Sequence, residues 1–290
     1  MAHRFFITDV FADHKYRGNQ LATFLDCDDL PDDEMQRMAR EINFSESTFV
    51  MKPKGDAPLR VRIFTPQEEV DFAGHPTLGT AFVIDRHVRP GGGGKVTLHL
   101  NIGPIPVDLN DADGILWMRQ REPEFGEEID RSLVSSLLGL KSEDMDDRFP
   151  CEEVSTGLKH IIVPLKSREA LARMTLSRDW AGLLQGRSYA KVVLAFCRGG
   201  QEEGQGLSAR VFPMGVGIAE DPATGSGNGC LAAYLVKHRY LGSEKVEVQV
   251  GQGYEMGRPS RLFLRSSPQG DGIGVEVGGK VHQVAEGWWG

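Results

Sequence analysis

Two short stretches of this chain are apolar on every face: Leu78-Gly-Thr-Ala-Phe-Val-Ile84 and Leu231-Ala-Ala-Tyr-Leu-Val236. A helix with no polar side has to be surrounded, so each stretch demands a core of its own. A glycine-bearing turn precedes each one, AGHPT (73–77) before the first and DPATGSGNG (221–229) before the second. The first helix is expected to stop at Asp85 or Arg86, ahead of Pro90 and Gly91–Gly94, and the second at Gly242 as its C′ residue. Around them the chain reads as strand. Val96, Leu98 and Leu100 alternate along one face, as do Val246, Val248 and Val250, and Ile273, Val275 and Val277. Glycine is abundant, 35 of 290 residues, against a usual share of about 7%, which suits short strands joined by tight turns. Two further helices open at Pro31, with Met35, Met38, Ala39 and Ile42 as the apolar stripe, and span Ile129 to Leu140. The expected architecture is α+β: two similar domains, each a curved, mostly antiparallel sheet or open barrel around a central helix. The polar stretch RQREPEFG (119–126) is the natural boundary. It gives domains 1–122 and 123–290, with the last strand free to return to the first.

Charge and residue usage narrow the partners. The chain carries 41 acidic and 33 basic side chains, a net charge of −8, so a nucleic-acid partner is not expected. Its longest apolar run, Cys230 to Val236, is seven residues, whereas crossing a bilayer as a helix takes roughly 20. At the N-terminus Asp9 interrupts the chain before a signal-peptide core could form. Cys27, Cys151, Cys197 and Cys230 are scattered without a CxxC pair, and no HxH or HxxxH pair suggests a metal. Together these features predict a cytoplasmic protein with no membrane partner, no metal and reduced thiols.

The glycine turns are where chemistry is expected. The first amides of a helix lack intrahelical partners and sit at the positive end of its dipole, so such a turn can grip a carboxylate. Ionisable or nucleophilic side chains accompany both turns: His75 in one, and Asp221, Thr224 and Ser226 in the other. If the two domains face each other, both helix starts point into one cleft. A third segment, Glu41-Ile-Asn-Phe-Ser-Glu-Ser-Thr-Phe-Val50, sets Glu46 among Phe44, Phe49 and Val50. Apolar neighbours raise a carboxyl pKa toward neutrality, which suits a proton shuttle, although a solvent-facing Glu at a strand start fits the same spacing.

At this point whole strings carry a resemblance. DVFADHKYRGNQLATF (9–24), NFSEST (43–48), RIFTPQEEVDFAGHPTLGTA (62–81), STGLKHIIVPL (155–165), RVFPMGVGIAEDPATGSGNGCLAAYL (210–235) and VGGKVHQVAEG (277–287) resemble the PhzF family. Its members are the phenazine-biosynthesis isomerase and its relatives, within the diaminopimelate-epimerase-like fold. The resemblance implies a homodimeric, cofactor-independent isomerase acting on a small anionic metabolite in an interdomain cleft. Glu46 would take a proton from one carbon of a substrate such as trans-2,3-dihydro-3-hydroxyanthranilate and return it at another. By the same carry-over His75 and Asp221 assist proton movement. Asn19, Ser45, Gly74, Gly225, Ser226 and Gly227 would bind the substrate, the last three gripping its carboxylate. Three positions depart from the family pattern: Ser47 stands for Thr, Gln20 for Pro, and Gly227 for Ala. The last two bear on pocket shape and so on substrate.

Two other readings compete. Amino-acid racemases of the same fold place a cysteine immediately before each glycine turn, where this chain has Ala73 and Pro222. Cys230 lies after its turn, as a small buried hydrophobe would. A non-catalytic binding or interaction protein could also keep the fold, although Glu46, His75 and Asp221 together argue against an idle cleft. Gly91–Gly94 lacks Walker spacing and reads as a hairpin or helix exit. The acidic cluster Glu143, Asp144, Asp146 and Asp147 reads as a solvated loop, and Trp288-Trp289 as packing or dimer surface.

Overall fold

The computed structural model describes residues 2–52, 59–91, 94–109, 112–215 and 217–290. The chain divides into two compact units, Met1–Arg119 with Gly278–Gly290, and Gln120–Val277. In the first unit β1 (His3–Val10), β2 (Asn19–Phe24), β3 (Glu46–Val50), β4 (Leu59–Phe64), β5 (Glu69–Val70), β6 (Lys95–Leu100), β7 (Gly103–Asp108) and β8 (Leu116–Arg119) accompany α1 (Asp32–Ile42) and α2 (Gly74–Val83). The second unit holds β9 (Glu124–Ile129), β10 (Cys151–Ser155), β11 (Lys159–Pro164), β12 (Val192–Arg198), β13 (Gln205–Pro213), β14 (Val246–Gln252) and β15 (Ser260–Gln269). Its helices are α3 (Arg131–Leu138), α4 (Arg168–Arg173), α5 (Trp180–Leu184) and α6 (Gly225–Lys237). β16 (Gly272–Gly279) crosses the division, and β17 (Val281–Trp289) then pairs antiparallel with β1, from His3 opposite Trp289 to Val10 opposite Val281. That ladder ties the C-terminal segment to the first unit rather than to the second. Trp289 reinforces it, packing edge-on against Phe5 and Phe24, while Trp288 is exposed.

The strand pairing repeats. In the first unit β1–β2 is antiparallel, β2–β3 parallel, β3–β4 antiparallel, β4–β6 parallel and β6–β7 antiparallel. In the second, β10–β11, β11–β12, β12–β13, β13–β14 and β14–β15 follow the same alternation. Parallel neighbours need a crossover, and the helices supply them: α1 and α2 in one unit, α4 with α5 and then α6 in the other. The sheets are therefore mixed but mostly antiparallel, as the alternating valines suggested.

Both all-apolar helices are enclosed. Every residue of α2 is buried, and so is all of α6 up to Val236. Strands β1, β2, β3, β6, β7, β8 and β17 surround α2, and β10, β11, β12, β14 and β15 surround α6. Smaller cores fill the outer side. Met35, Met38 and Ala39 of α1 pack with Phe24, Phe49 and Phe64, and Leu133, Val134, Leu137 and Leu138 of α3 pack with Ile161, Val163 and Val193.

Helix ends differ from expectation in three places. The glycine turns are not separate from the central helices, because Gly74 and Gly225 are their first residues. α2 runs on into a π-type turn over Ile84–Val88 instead of stopping at Asp85 or Arg86. Gly91 and Gly94 follow with φ of +76° and +74°, while Gly92 and Gly93 lie outside the described residues. α6 ends at Lys237, well before Gly242. Arg239 takes the left-handed C′ position at φ +47°, and Tyr240 N–H reaches back to the Leu235 carbonyl while Arg239 N–H reaches that of Val236. This is a Schellman closure made without glycine. The acidic cluster is not a solvated loop throughout, since Asp146 is buried against Arg148 at 2.7 Å.

Candidate active site

In the first unit the predicted residues gather where β2, β3 and α2 begin. Asn19 opens β2, Glu46 opens β3, and His75 is the second residue of α2. β2 and β3 run parallel with Leu21 opposite Glu46, so their starts lie side by side. Gly18 delivers Asn19 to this point. It sits at φ +71°, and a Cβ there would lie 2.2 Å from the Val10 carbonyl oxygen, so no larger residue fits the turn. Behind Glu46 a buried hydroxyl chain locks helix to sheet: Thr80 Oγ1 donates to Thr48 Oγ1 at 2.8 Å, and Thr48 donates to Thr23 at 3.0 Å.

The resulting geometry is compact. His75 Nδ1 is 3.2 Å from Asn19 Nδ2 and 3.5 Å from Glu46 Oε2. Glu46 keeps 18% of its side chain exposed, whereas His75 keeps 4%. Burial pushes the His75 pKa down to about 3, with a backbone hydrogen bond at Gln20 opposing the shift. The positive end of α2 works in the same direction as burial. At neutral pH His75 is therefore an uncharged imidazole. Asn19 Nδ2 and Glu46 Oε2 both face Nδ1, and the Gln20 backbone adds a further hydrogen bond to the ring. Ser45 and Gly74 flank Glu46 and His75 directly in the chain.

The second unit builds an analogous helix start. Asp221 is buried; its N–H bonds to the Val211 carbonyl, and its Oδ2 accepts from Thr224 Oγ1 at 2.5 Å. Ser226 is the second residue of α6, as His75 is of α2. Neither N-cap residue, Ala73 nor Thr224, caps its helix through a side chain. Both helix starts thus keep the character of an anion site.

Two residues that the sequence did not single out hold this loop. Gln252, fully buried at the end of β14, donates from Nε2 to the Asp221 carbonyl at 2.7 Å and to Thr224 Oγ1 at 3.1 Å. Its Oε1 accepts from Asn228 Nδ2 at 2.9 Å and Thr224 N–H at 3.3 Å. Gly253 next to it sits at φ +78°, where a Cβ would come within 2.6 Å of the Pro222 carbonyl oxygen. The only sequence signal was the Gly251-Gln252-Gly253 string itself. His160 is a second buried histidine, its pKa lowered to about 4 by burial, with Nδ1 2.8 Å from the Leu158 carbonyl.

All four cysteines are buried, and burial pushes each pKa up to about 12. Cys230 lies inside α6, 3.6 Å from His160 Nδ1. Among the described residues no three His, Cys, Asp or Glu side chains group as metal ligands, and no helix is long and apolar enough to cross a membrane.

Comparison with known proteins identifies the family. Residues 8–287 match the family described as phenazine biosynthesis-like protein. The trans-2,3-dihydro-3-hydroxyanthranilate isomerase of Pseudomonas aeruginosa is 37% identical over 289 residues, covering 98% of each chain. A PhzF-family phenazine biosynthesis protein of Bacillus anthracis superposes with a TM-score of 0.91 at 26% identity, over 100% of this chain and 99% of that one. A hydroxyproline epimerase of Agrobacterium vitis shares the fold alone, at TM-score 0.62 and 10% identity, over 99% of this chain and 91% of that one. A family match along nearly the whole chain, joined to full-length likeness to isomerases, means that this chain belongs to the PhzF family of phenazine biosynthesis-like proteins and is an enzyme of its isomerase class.

Proposed function

We propose that the protein moves one proton between two carbons of a small cyclic carboxylate of the trans-2,3-dihydro-3-hydroxyanthranilate type, with Glu46 as base and then as acid. The observation that carries this reading is the largely shielded Glu46 carboxyl set 3.5 Å from an imidazole that burial keeps neutral. Glu46 takes the proton as the substrate C–H bond breaks. The electron pair shifts along the conjugated ring, and the same carboxyl returns the proton as a C–H bond forms at the second carbon. Atoms and electrons balance within the substrate, so neither oxidant nor cofactor enters. Neutral His75 offers a lone pair or an N–H without competing for the proton, and Asn19, Ser45 and Gly74 line the same end of the first unit. Asp221 takes the substrate's polar group, and Gly225, Ser226 and Gly227 hold its carboxylate at the positive end of α6. This scheme requires the two helix starts to share one interdomain cleft, and it carries with it a cytoplasmic homodimer.

The test is an NMR and absorbance assay of trans-2,3-dihydro-3-hydroxyanthranilate in D₂O with the wild type and Glu46→Gln. Loss of turnover by about 10²–10⁴-fold in a folded variant is expected, the range for removing a general base. Little deuterium in early product would mark one carboxyl as both donor and acceptor. A Glu46→Gln variant that turns over normally would overturn the role of Glu46. A wild type that binds the compound without converting it would favour a binding protein.

A further inference from the structure

A hollow of about 680 Å³ lies wholly within the first unit, at the end of α2 remote from His75. With a rise of about 1.5 Å per residue, Phe82 sits about 10 Å farther along the helix axis than His75. Lys15, Phe82, Arg86, Lys280, His282 and Val284 line the hollow. Its one acid, Glu286, is already engaged by Arg4 at 3.0 Å. Among the described residues no carboxylate pairs with Lys15, Arg86 or Lys280. In a chain of net charge −8, three cations lining one concavity whose single acid is paired elsewhere is an imbalance that a ligand would correct.

The cations are not equivalent. Arg86 lies over the Phe82 ring at 4.2 Å, and that stacking leaves the guanidinium edge open for a two-point contact with a carboxylate. It also offsets the negative end of the α2 dipole, which accounts for one cation there. Lys15, on the β1–β2 connection, and Lys280, just before β17, have no such structural role. His87 sits behind Gln283 of the wall: His87 Nε2 and Gln283 Oε1 are 2.7 Å apart, and the His87 ring stacks on Phe6 at 4.2 Å. Phe82, Val281 and Val284 give the same hollow an apolar strip. Cations beside an apolar strip suit an anion with a flat hydrocarbon body better than a bare inorganic one.

We propose that this hollow binds a small aromatic carboxylate at a site separate from Glu46 and His75. Benzoate and acetate, which carry the same charge, are the probes. The imidazole C–H signals of His87 and His282 report the hollow, and that of His75 reports the candidate active site. Benzoate is expected to shift His87 and His282 saturably, with an affinity at least about tenfold above that of acetate, a difference of about 1.4 kcal/mol. Replacing the two lysines together, Lys15→Gln with Lys280→Gln, should weaken benzoate there at least about tenfold while turnover stays at the wild-type value. Arg86→Gln alone, which also removes the stacking on Phe82, gives a second variant if the pair fails to fold. Absence of saturable shifts at His87 and His282 would overturn the proposal. So would equal affinity for acetate, or undiminished benzoate binding in the folded variants.

Discussion

His75 Nδ1 and Glu46 Oε2 lie 3.5 Å apart, yet burial holds the imidazole neutral, with a pKa of about 3, so the pair is not an ion pair at physiological pH. In the proposed function, a charged imidazolium at this distance would favour the carboxylate and weaken Glu46 as an acid in the second half of the reaction, which a neutral ring avoids. The His75 ring signals should therefore not titrate between pH 8 and pH 5 in an NMR experiment. A His75 inflection near the ordinary value of about 6.5 would contradict this account.

Distance makes Glu46→Asp informative. Removing one methylene withdraws the carboxylate by about 1.5 Å while keeping its charge, and misplacement by about 1 Å costs about 10²-fold. The expected result is kcat lower by about 10²-fold with little change in KM. Unchanged kcat would mean that the carboxyl does not need to reach a fixed carbon.

The buried histidines also set the pH dependence of stability. In the unfolded chain both imidazoles take a proton near their ordinary value of about 6.5. In the folded chain His160 resists to about pH 4 and His75 to about pH 3. Below that ordinary value the unfolded state binds more protons, so stability falls as pH falls. With both groups contributing, the slope approaches about 3 kcal/mol per pH unit between about pH 6 and pH 4. Urea denaturation across that range measures it, and His160→Asn should reduce the slope by up to half.

Gln252 holds both ends of the turn that presents Asp221 and Ser226. Gln252→Leu would strand the Asp221 carbonyl, the Thr224 N–H and the Asn228 amide in a buried place, at a cost of about 2–4 kcal/mol. KM should rise, because the turn holds the substrate carboxylate in the proposed function. Paired chemical denaturation and steady-state kinetics test this. A variant with wild-type stability would remove Gln252 from the support of the loop.

Thiol chemistry is expected to be silent. With all four sulfurs buried and pKa values near 12, iodoacetamide should leave turnover unchanged and label cysteine only under denaturing conditions. Rapid loss of activity with one label incorporated would reopen a cysteine-based mechanism.

What the residues determined by themselves was mostly local and periodic. The two helices without a polar face required two cores, and Pro31 with its acidic first turn set the start of α1. His75 and Asp221 stood out because functional groups next to glycine turns are a short-range signal, whereas Glu46 was marked by the resemblance that the NFSEST string carries. Tertiary structure decided what depends on distant partners. Arg239 adopts the left-handed cap in place of Gly242 because Tyr240, just beyond it, is buried against Phe196, so packing fixed the helix end. Gln252 reaches Asp221 across 31 residues of sequence, and no local pattern encodes that reach. His75 looks like any titratable histidine in sequence. Only its enclosure lowers its pKa, since desolvation belongs to the surroundings and not to the residue.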